Sequence, residues 1–508
     1  MRLRWLAPLS VVLAFAAESM AQSRMTGGDI QGTVVDQQNE NVGGADVTVT
    51  NLDTNVSRNT LTDTKGRYFL GALPPGRYKI GVELLGFAPE TVDEVQLQLG
   101  HSVDQNFTLR VAGGAETVVI VEAVPSLDAR RTAVAFAVGQ EMIEGLPING
   151  RNFINFAALT PGVTTDRTTG RGIIATSGLS FTGQPARSNS LTVDGFDNND
   201  VTTGGVRGQF SQEAIREFQV LTDTYSAEFG RASGGVVNIV TKSGTNDFHG
   251  NMFFYLRDKS LNAKDHFEKF DVFGNPINQD SAPFKQKQWG GTLGGPLRKD
   301  KTFFFLAYER SDVDASNFVT IDPTIANTLT SLGFPVELGY QPYSYESSQA
   351  LIKLDHQWSS SNNLSLRASY SKIMNENAEV WGGLNARSNG GVLDSKDWFV
   401  SASESDVLSP RWISETRVLF SKPEQSILAL DPRCNGECLG FDQGRSAGAA
   451  HRTGHRGARR DVAPGARERP LRGQPDVQLL PRQPPVQVRR HLCVPEREGA
   501  LAAPELRR

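Results

Sequence analysis

The chain has 508 residues, a formal net charge of −4, 50 Gly, 27 Phe and only three Cys. That length allows several domains. The balanced charge offers no general footing for nucleic acid. Three Cys cannot form a disulfide framework, and beyond the N-terminus no run of 18 apolar residues could span a membrane as a helix.

The first 21 residues read as a signal peptide. Arg2 and Arg4 precede the apolar run Trp5–Ala17, and Ser19-Met20-Ala21 predicts cleavage between Ala21 and Gln22. Export without a helical anchor leads to the periplasm, the medium or an outer-membrane barrel.

Residues 29–111 carry short alternating runs, IQGTVVD, ADVTVTNL, RYFLGAL, RYKIGVELLGF and QNFTLRV, separated by Gly, Asn, Asp and Pro. This spacing predicts a small antiparallel β-sandwich. The runs resemble the carboxypeptidase regulatory-like domain. Its expected core is Tyr68, Phe69, Leu73, Tyr78 and Phe87, with tight turns at Gly66 and Gly76. No HxxE or HExxH motif is present, so neither peptidase chemistry nor a metal or cofactor is expected. Similar sandwiches bind sugars, but no residue here argues for that role.

Residues 112–124, AGGAETVVIVEAV, join a Gly-Gly hinge to a β-prone run. Glu116, Thr117, Val118, Val119, Ile120 and Val121 resemble the TonB box. Such an unpaired strand can add to the edge of a partner's sheet through main-chain hydrogen bonds. The alternative is an ordinary linker strand packed on the sandwich.

Residues 125–246 hold LPINGRNFINFAALTPGV, SNSLTVDGFDNND and AIREFQVLTDTYSAEFGRASGGVVNIVTKSGTN in that order. They predict a short helix over Arg151–Leu159 stopped by Pro161-Gly162. A buried strand should turn at Asp194-Gly195, and a second strand should include Gly234-Gly235, where another backbone can approach closely. The three segments are similar to the α+β plug domain of TonB-dependent receptors, above all the large Oar-like receptors that also carry the N-terminal sandwich. The resemblance runs from Asp29 to Phe420. It implies that Arg151, Asn152, Asp194, Gly195, Arg231, Gly234, Gly235 and Lys242 organise the plug rather than touch ligand. Asp194, Asp197 and Asp200 lack the Gly and Glu spacing of a calcium loop and read as turn carboxylates. No Ser-His-Asp pattern stands out, and no enzyme is expected.

Residues 247–440 contain seven alternating, aromatic-rich candidate strands: FHGNMFFYLRD, KQWGGTLGGPL, KTFFFLAYER, ALIKLDHQW, NLSLRASYSKI, DWFVSASESDVL and ISETRVLFSK. Their connections alternate between short and long, with long loops expected over Lys259–Lys285, Ser311–Glu346 and Met374–Gly391. That asymmetry predicts the first third of a transmembrane antiparallel β-barrel in contact with outer-membrane lipid. Phe303, Phe305, Tyr308, Trp358, Tyr370, Trp398 and Trp412 are assigned to lipid-facing and girdle positions.

From Asp442 onward the composition changes. This tail has 14 Arg and 8 Pro but no Phe, Tyr, Trp, Lys, Ile, Met or Asn. Its formal charge is +7 (14 Arg against 7 Asp plus Glu), so the remainder carries −11. Residues 441–508 read either as a disordered Arg/Pro-rich tail or as a displaced reading frame. Back-translated one nucleotide later, PRQPPVQVRRHLCVPERE can give RGNHQFKFGGTYVYQSE, which alternates as a barrel strand does. Cys434 and Cys438 read as a loop-tip disulfide or as half of a metal site whose second half is missing.

The fold class expected is therefore mainly β: sandwich, plug and incomplete barrel. The resemblance implies an outer-membrane receptor that takes up an unidentified carbohydrate, peptide or iron chelate with TonB as partner. It also implies a barrel of 22 strands, so this chain is expected to be truncated and inactive as it stands. The competing expectation is a surface adhesion or secretion-linked protein whose sandwich binds carbohydrate or protein.

Overall fold

The computed structural model describes residues 25–112, 134–146, 151, 153–165, 179–200, 206–223, 225, 229–261, 282–332, 335–379, 381–409, 412–430 and 486–493. The signal-peptide cleavage pair Ala21-Gln22, the Glu116–Val121 box, Asn152, Cys434 and Cys438 lie outside the described residues.

The sandwich has eight strands: β1 (Gly28–Asp36), β2 (Asp46–Asn51), β3 (Ser57–Leu61), β4 (Arg67–Leu73), β5 (Gly76–Glu83), β6 (Glu90–Leu97), β7 (Ser102–Asp104) and β8 (Phe107–Leu109). One sheet runs β4-β1-β7 with β8 also on β1; the other runs β3-β2-β5-β6. Alternation decides which side chains are inside. In β5, Tyr78, Ile80 and Val82 point inward and Arg77, Lys79 and Glu83 outward. Ile30, Val34, Val47, Ile80, Leu97 and Phe107 fill the space between sheets, each contributing roughly 1.5–3 kcal/mol by burial. Tyr68, Leu73 and Tyr78 are core residues as expected. Phe69 is not, because period two places it on the opposite face from Tyr68 and Leu70; Phe87 is half-buried at the edge of the core. Gly66 turns with φ +69 between Asp63 and Arg67, and a Cβ there would lie 2.3 Å from the Val34 carbonyl oxygen.

The second sheet is built from β9 (Val134–Val138), β12 (Ser190–Val193), β13 (Phe196–Asp197), β14 (Ile215–Asp223) and β15 (Val236–Thr241), ordered β13-β12-β15-β14-β9. A separate hairpin joins β10 (Val163–Thr165) to β11 (Leu179–Phe181). Helix α1 is Gln140–Gly145. The expected helix before Pro161 is a 3-10 helix, Phe153–Leu159. β12 lies parallel to β15, and β14 antiparallel to it. Their register sorts the sheet into two faces. Leu191, Val193, Phe218, Val220, Val237 and Ile239 share an apolar face that packs on Phe156, Phe181 and, from the third sheet, Phe305, Ala307 and Leu351. Thr192, Gln219 and Asn238 line up on the other face.

The third sheet is an antiparallel meander: β16 (His249–Asp258), β17 (Lys285–Arg298), β18 (Thr302–Val319), β19 (Gly339–Gln357), β20 (Asn362–Glu379), β21 (Gly391–Ser409), β22 (Trp412–Ala429) and β23 (Val486–Cys493), paired in that order as an open path. The first seven are the strands expected from the pattern. Helix α2 (Pro323–Ser331) sits in the β18–β19 connection, with Asp322 capping Thr324 and Ile325 N–H groups. Two long loops are shorter than expected. Pairing runs unbroken from Thr302↔His356 to Val319↔Gly339, so much of 311–346 is strand; β20 likewise continues to Glu379. Strands of 18–19 residues exceed the 9–11 or so needed to cross a bilayer, so they project beyond it on the long-loop side. β23 falls in the Arg/Pro-rich tail and pairs with β22 from Phe420↔Val486 to Ile413↔Cys493.

Two aromatic assignments are corrected. Phe303 and Phe305 are 4 % and 1 % exposed and face inward with Ala307 and Glu309. The outward residues of that strand are Leu306 and Tyr308, which the period of two separates from their neighbours. Trp358, Trp398 and Trp412 are exposed as expected, and Tyr370 packs on Trp398 with ring centroids 4.4 Å apart. No helix among the described residues is long and apolar enough to cross a membrane, which says nothing about strands.

Candidate functional site

β12 ends at Val193, and the chain reverses through Asp194 (φ 50) and Gly195 (φ 77) into β13. The turn carries the Asp194 carboxylate toward the inner face of β19 and β20. Its Oδ2 accepts from Arg367 Nη1 at 2.6 Å and Thr241 Oγ1 at 2.8 Å, while Oδ1 accepts from the Thr241 N–H at 2.8 Å. Lys353 Nζ lies 4.0 Å from Oδ1 and donates to the Thr241 carbonyl at 3.3 Å. Both cations are buried among inward-facing strand residues. Burial alone would raise the Asp194 carboxyl, but Lys353, Arg367 and the Thr241 hydrogen bonds hold it below the usual carboxylate range. Arg367 also lies 5.6 Å from the Phe210 ring centroid, so it is held from two directions.

A second cluster sits nearer the long loops. Arg151 (φ 53) places Nη2 2.5 Å from Glu213 and Nε 3.8 Å from Glu309, with its guanidinium 4.3 Å above the Phe253 ring. Glu309 on β18 accepts from Ser211 Oγ at 2.5 Å and Gln288 Nε2 at 2.6 Å. A third pair joins Arg231 (φ 64) to Asp197 at 2.6 Å, and a fourth joins Lys242 to Glu144 at 3.1 Å. Arg151, Asp194 and Arg231 thus all adopt the left-handed region, at roughly 1–2 kcal/mol each, and each is held there by an opposite charge.

Gly234 and Gly235 are close-approach positions. A Cβ on Gly235 would meet the Phe181 ring at 2.0 Å, and one on Gly234 would meet Asn189 Oδ1 at 2.4 Å. The bare backbone lets the β10–β11 hairpin lie against β15. Asp194 and Asp197 each face an arginine, and among the described residues no group of His, Cys, Asp and Glu is arranged to hold a metal.

Motif spacing did not reveal Lys353, Arg367, Glu213 or Glu309. The signal was parity. In ALIKLDHQW and NLSLRASYSKI the charge falls in mid-strand, on the inward set with Leu351 and with Ser369 and Ser371. A charge there must meet a partner inside the sheet.

The polar face of the second sheet is covered by the sandwich. Asn238 Nδ2 donates to the Met25 carbonyl at 2.7 Å, and its Oδ1 accepts from Thr192 Oγ1 across the sheet at 2.8 Å. Gln219 donates to the Leu99 carbonyl at 3.2 Å, and Glu217 accepts from the Leu99 N–H at 3.1 Å. Burial pushes Glu217 up to about 7, against the Leu99 N–H and Arg216, which favour its ionised form.

Residues 29–110 match the carboxypeptidase regulatory-like domain family, and residues 240–334 match the outer membrane beta barrel domain family. The chain is 32 % identical over 309 residues to the TonB-dependent transporter Oar of Myxococcus xanthus, across 59 % of this chain and 28 % of that protein. It is 29 % identical over 147 residues to the probable TonB-dependent siderophore receptor PirA of Acinetobacter baumannii, across 29 % of this chain and 17 % of that one. The outer membrane transporter YddB of Escherichia coli is similar in structure, with a TM-score of 0.43 and 14 % identity over 58 % of this chain and 40 % of that one. The chain spans less than a third of the length of the two sequence relatives. The sequence relatives are TonB-dependent outer-membrane transporters and receptors. Among these the chain resembles the Oar transporter, and its carboxypeptidase regulatory-like match lies ahead of the outer membrane beta barrel match.

Proposed function

We propose that the chain forms the N-terminal part of an importer, in which a ligand from outside binds above the plug and TonB supplies the pull. The observation that carries this reading is a plug sheet seated on the inner face of the outer-membrane sheet. Its attachment is polar where it must be breakable, at Asp194–Arg367 and Arg151–Glu309, and apolar where Phe218 and Val220 share a core with Phe305 and Leu351. A permanent seal needs no such buried charges, since well-packed apolar residues would hold as well or better. On this reading Ala21-Gln22 is the leader cleavage site, and Glu116–Val121 is the strand that pairs with TonB.

The test is capture of the refolded full chain by the periplasmic domain of TonB. Deletion of Glu116–Val121 is expected to abolish capture and leave folding intact. Equal capture of both forms, or of neither, overturns the reading and favours adhesion through the sandwich.

A further inference from the structure

The second sheet is held on both faces. Its apolar face shares a core with Phe305, Ala307 and Leu351 of the third sheet. Its polar face lies against the sandwich, which sits at the end of the third sheet where the turns are short. Resting on the import reading above, we infer that the sandwich is an autoinhibitory latch: docked, it holds the second sheet in place, and under a pull it lets go first.

The latch is the turn between β2 and β3. Asn51 Oδ1 accepts from the Asp53 and Thr54 N–H groups at 3.0 Å each, which fixes the shape of the turn. The carbonyls of the same two residues accept from Asn246, Asp53 from its N–H at 3.0 Å and Thr54 from its Nδ2 at 2.9 Å. Asn246 also holds the β17–β18 turn, where Nδ2 donates to Asp300 Oδ1 at 2.7 Å and Oδ1 accepts from the Asp300 N–H at 2.8 Å. The Asp53 carboxylate lies 3.5 Å from Arg216 Nη2 on β14, and Arg417 on β22 donates to Thr26 Oγ1 at 3.4 Å. Asn246 thus ties the sandwich to the third sheet at the point where the chain passes from β15 to β16.

The first ground is the kind of contact that has to break. The apolar core of the sandwich is its own, and among residues 25–112 it is Met25 that joins a core cluster of the second sheet. The junction is otherwise polar, and it leaves a cavity of about 180 Å³ bordered by Asn51, Arg58, Arg216, Gln357, Ser405 and Glu415. Polar junctions between folded units part readily, because their groups regain water as they separate. The second and third sheets share an apolar core instead, whose exposure water opposes.

The second ground is where a pull arrives. Residues 113–115 separate Ala112, at the end of the sandwich, from Glu116, whereas residues 122–133 separate Val121 from Val134 at the start of β9. At about 3.3–3.6 Å per extended residue, the first connection can span roughly 14 Å and the second roughly 45 Å. A pull on Glu116–Val121 therefore draws the sandwich side taut before it loads β9.

The experiment pulls on single full-length chains folded in detergent. One handle is a biotin-acceptor peptide inserted after Val118, the other a tag in helix α2 of the β18–β19 connection, and no TonB is added. Two ruptures in succession are the expected result. At constant force the lifetime before the first should fall at least threefold in Asp53→Asn and at least tenfold in Asn246→Ala. The lifetime before the second should fall in Leu351→Ala, which leaves the first unchanged. Asp53→Asn keeps the shape of the turn, so it reads the latch even where Asn246→Ala disturbs folding. A single rupture, a first rupture indifferent to Asp53→Asn, or a first rupture that answers to Leu351→Ala overturns the inference. TonB capture is read separately, on the chain without handles. Capture together with a single rupture sinks this inference alone, and two ruptures without capture sink the import reading alone.

Discussion

Arg367 Nη1 on β20 meets Asp194 Oδ2 at 2.6 Å, across the boundary between the second sheet and the third. The two residues are 173 positions apart in the chain; Arg367 is buried and the Asp194 side chain is 14 % exposed. Asp194→Ala would leave Arg367 and Lys353 facing a gap. The expected loss is about 3–5 kcal/mol, the usual consequence of stranding a buried charge. Denaturant unfolding of the plug should show it. Asp194→Ala with Arg367→Leu should cost less than the single change; equal or greater loss would show that the pair does not join plug to sheet.

Burial of Glu217 against the sandwich makes docking of the sandwich depend on pH. Glu217 has its carboxyl raised from 4.5 to about 7 in the folded chain. The folded state therefore holds the proton more tightly than the unfolded state. Its stabilising share is complete below pH 4.5 and falls as the pH rises to about 7, by on the order of 3 kcal/mol. Unfolding in denaturant at pH 5 and pH 8 should reveal a loss that Glu217→Gln removes. A slope unchanged by that substitution would assign the effect to other groups.

Leu351 and Ile352 are neighbours with opposite duties. Leu351 is 3 % exposed in the shared core, whereas Ile352 is 57 % exposed on the outer face. Leu351→Ala is expected to loosen the plug by about 2–5 kcal/mol without blocking insertion. Ile352→Arg is expected to cost about 2–4 kcal/mol at mid-membrane depth and to reduce insertion into liposomes. The reverse pattern would mean that the inner and outer faces have been exchanged.

Gly235→Ala would drive a methyl group into the Phe181 ring. Overpacking of this kind costs about 1–3 kcal/mol, read as a lowered melting temperature. Phe181→Leu should recover part of the loss in the double variant, and no recovery would place the strain elsewhere.

The composition break at Asp442 leads to a prediction at the level of DNA. We propose that residues 442–508, with 14 Arg and no Phe, Tyr or Trp, are translated out of frame. Sequencing the DNA that encodes Leu430–Ala450 should find one nucleotide gained or lost. An intact frame with no barrel coding nearby would make the Arg-rich segment genuine.

The sequence by itself determined the elements. Alternation at period two marked the sandwich strands and the seven strands from His249 to Ala429, and Asp194-Gly195 announced its own turn, because these features depend on local backbone geometry and on which side chains prefer water. Parity also held the information that Phe303 and Phe305 share a face with Ala307, but not which face was the inside. Only the tertiary structure decided that, by seating Phe218 and Val220 against Phe305. It alone paired Asp194 with Arg367, Arg151 with Glu309, and Glu217 with the Leu99 amide. Those contacts join segments tens to hundreds of residues apart. A buried charge reveals that it needs a partner, but which partner is settled only when the sheets pack.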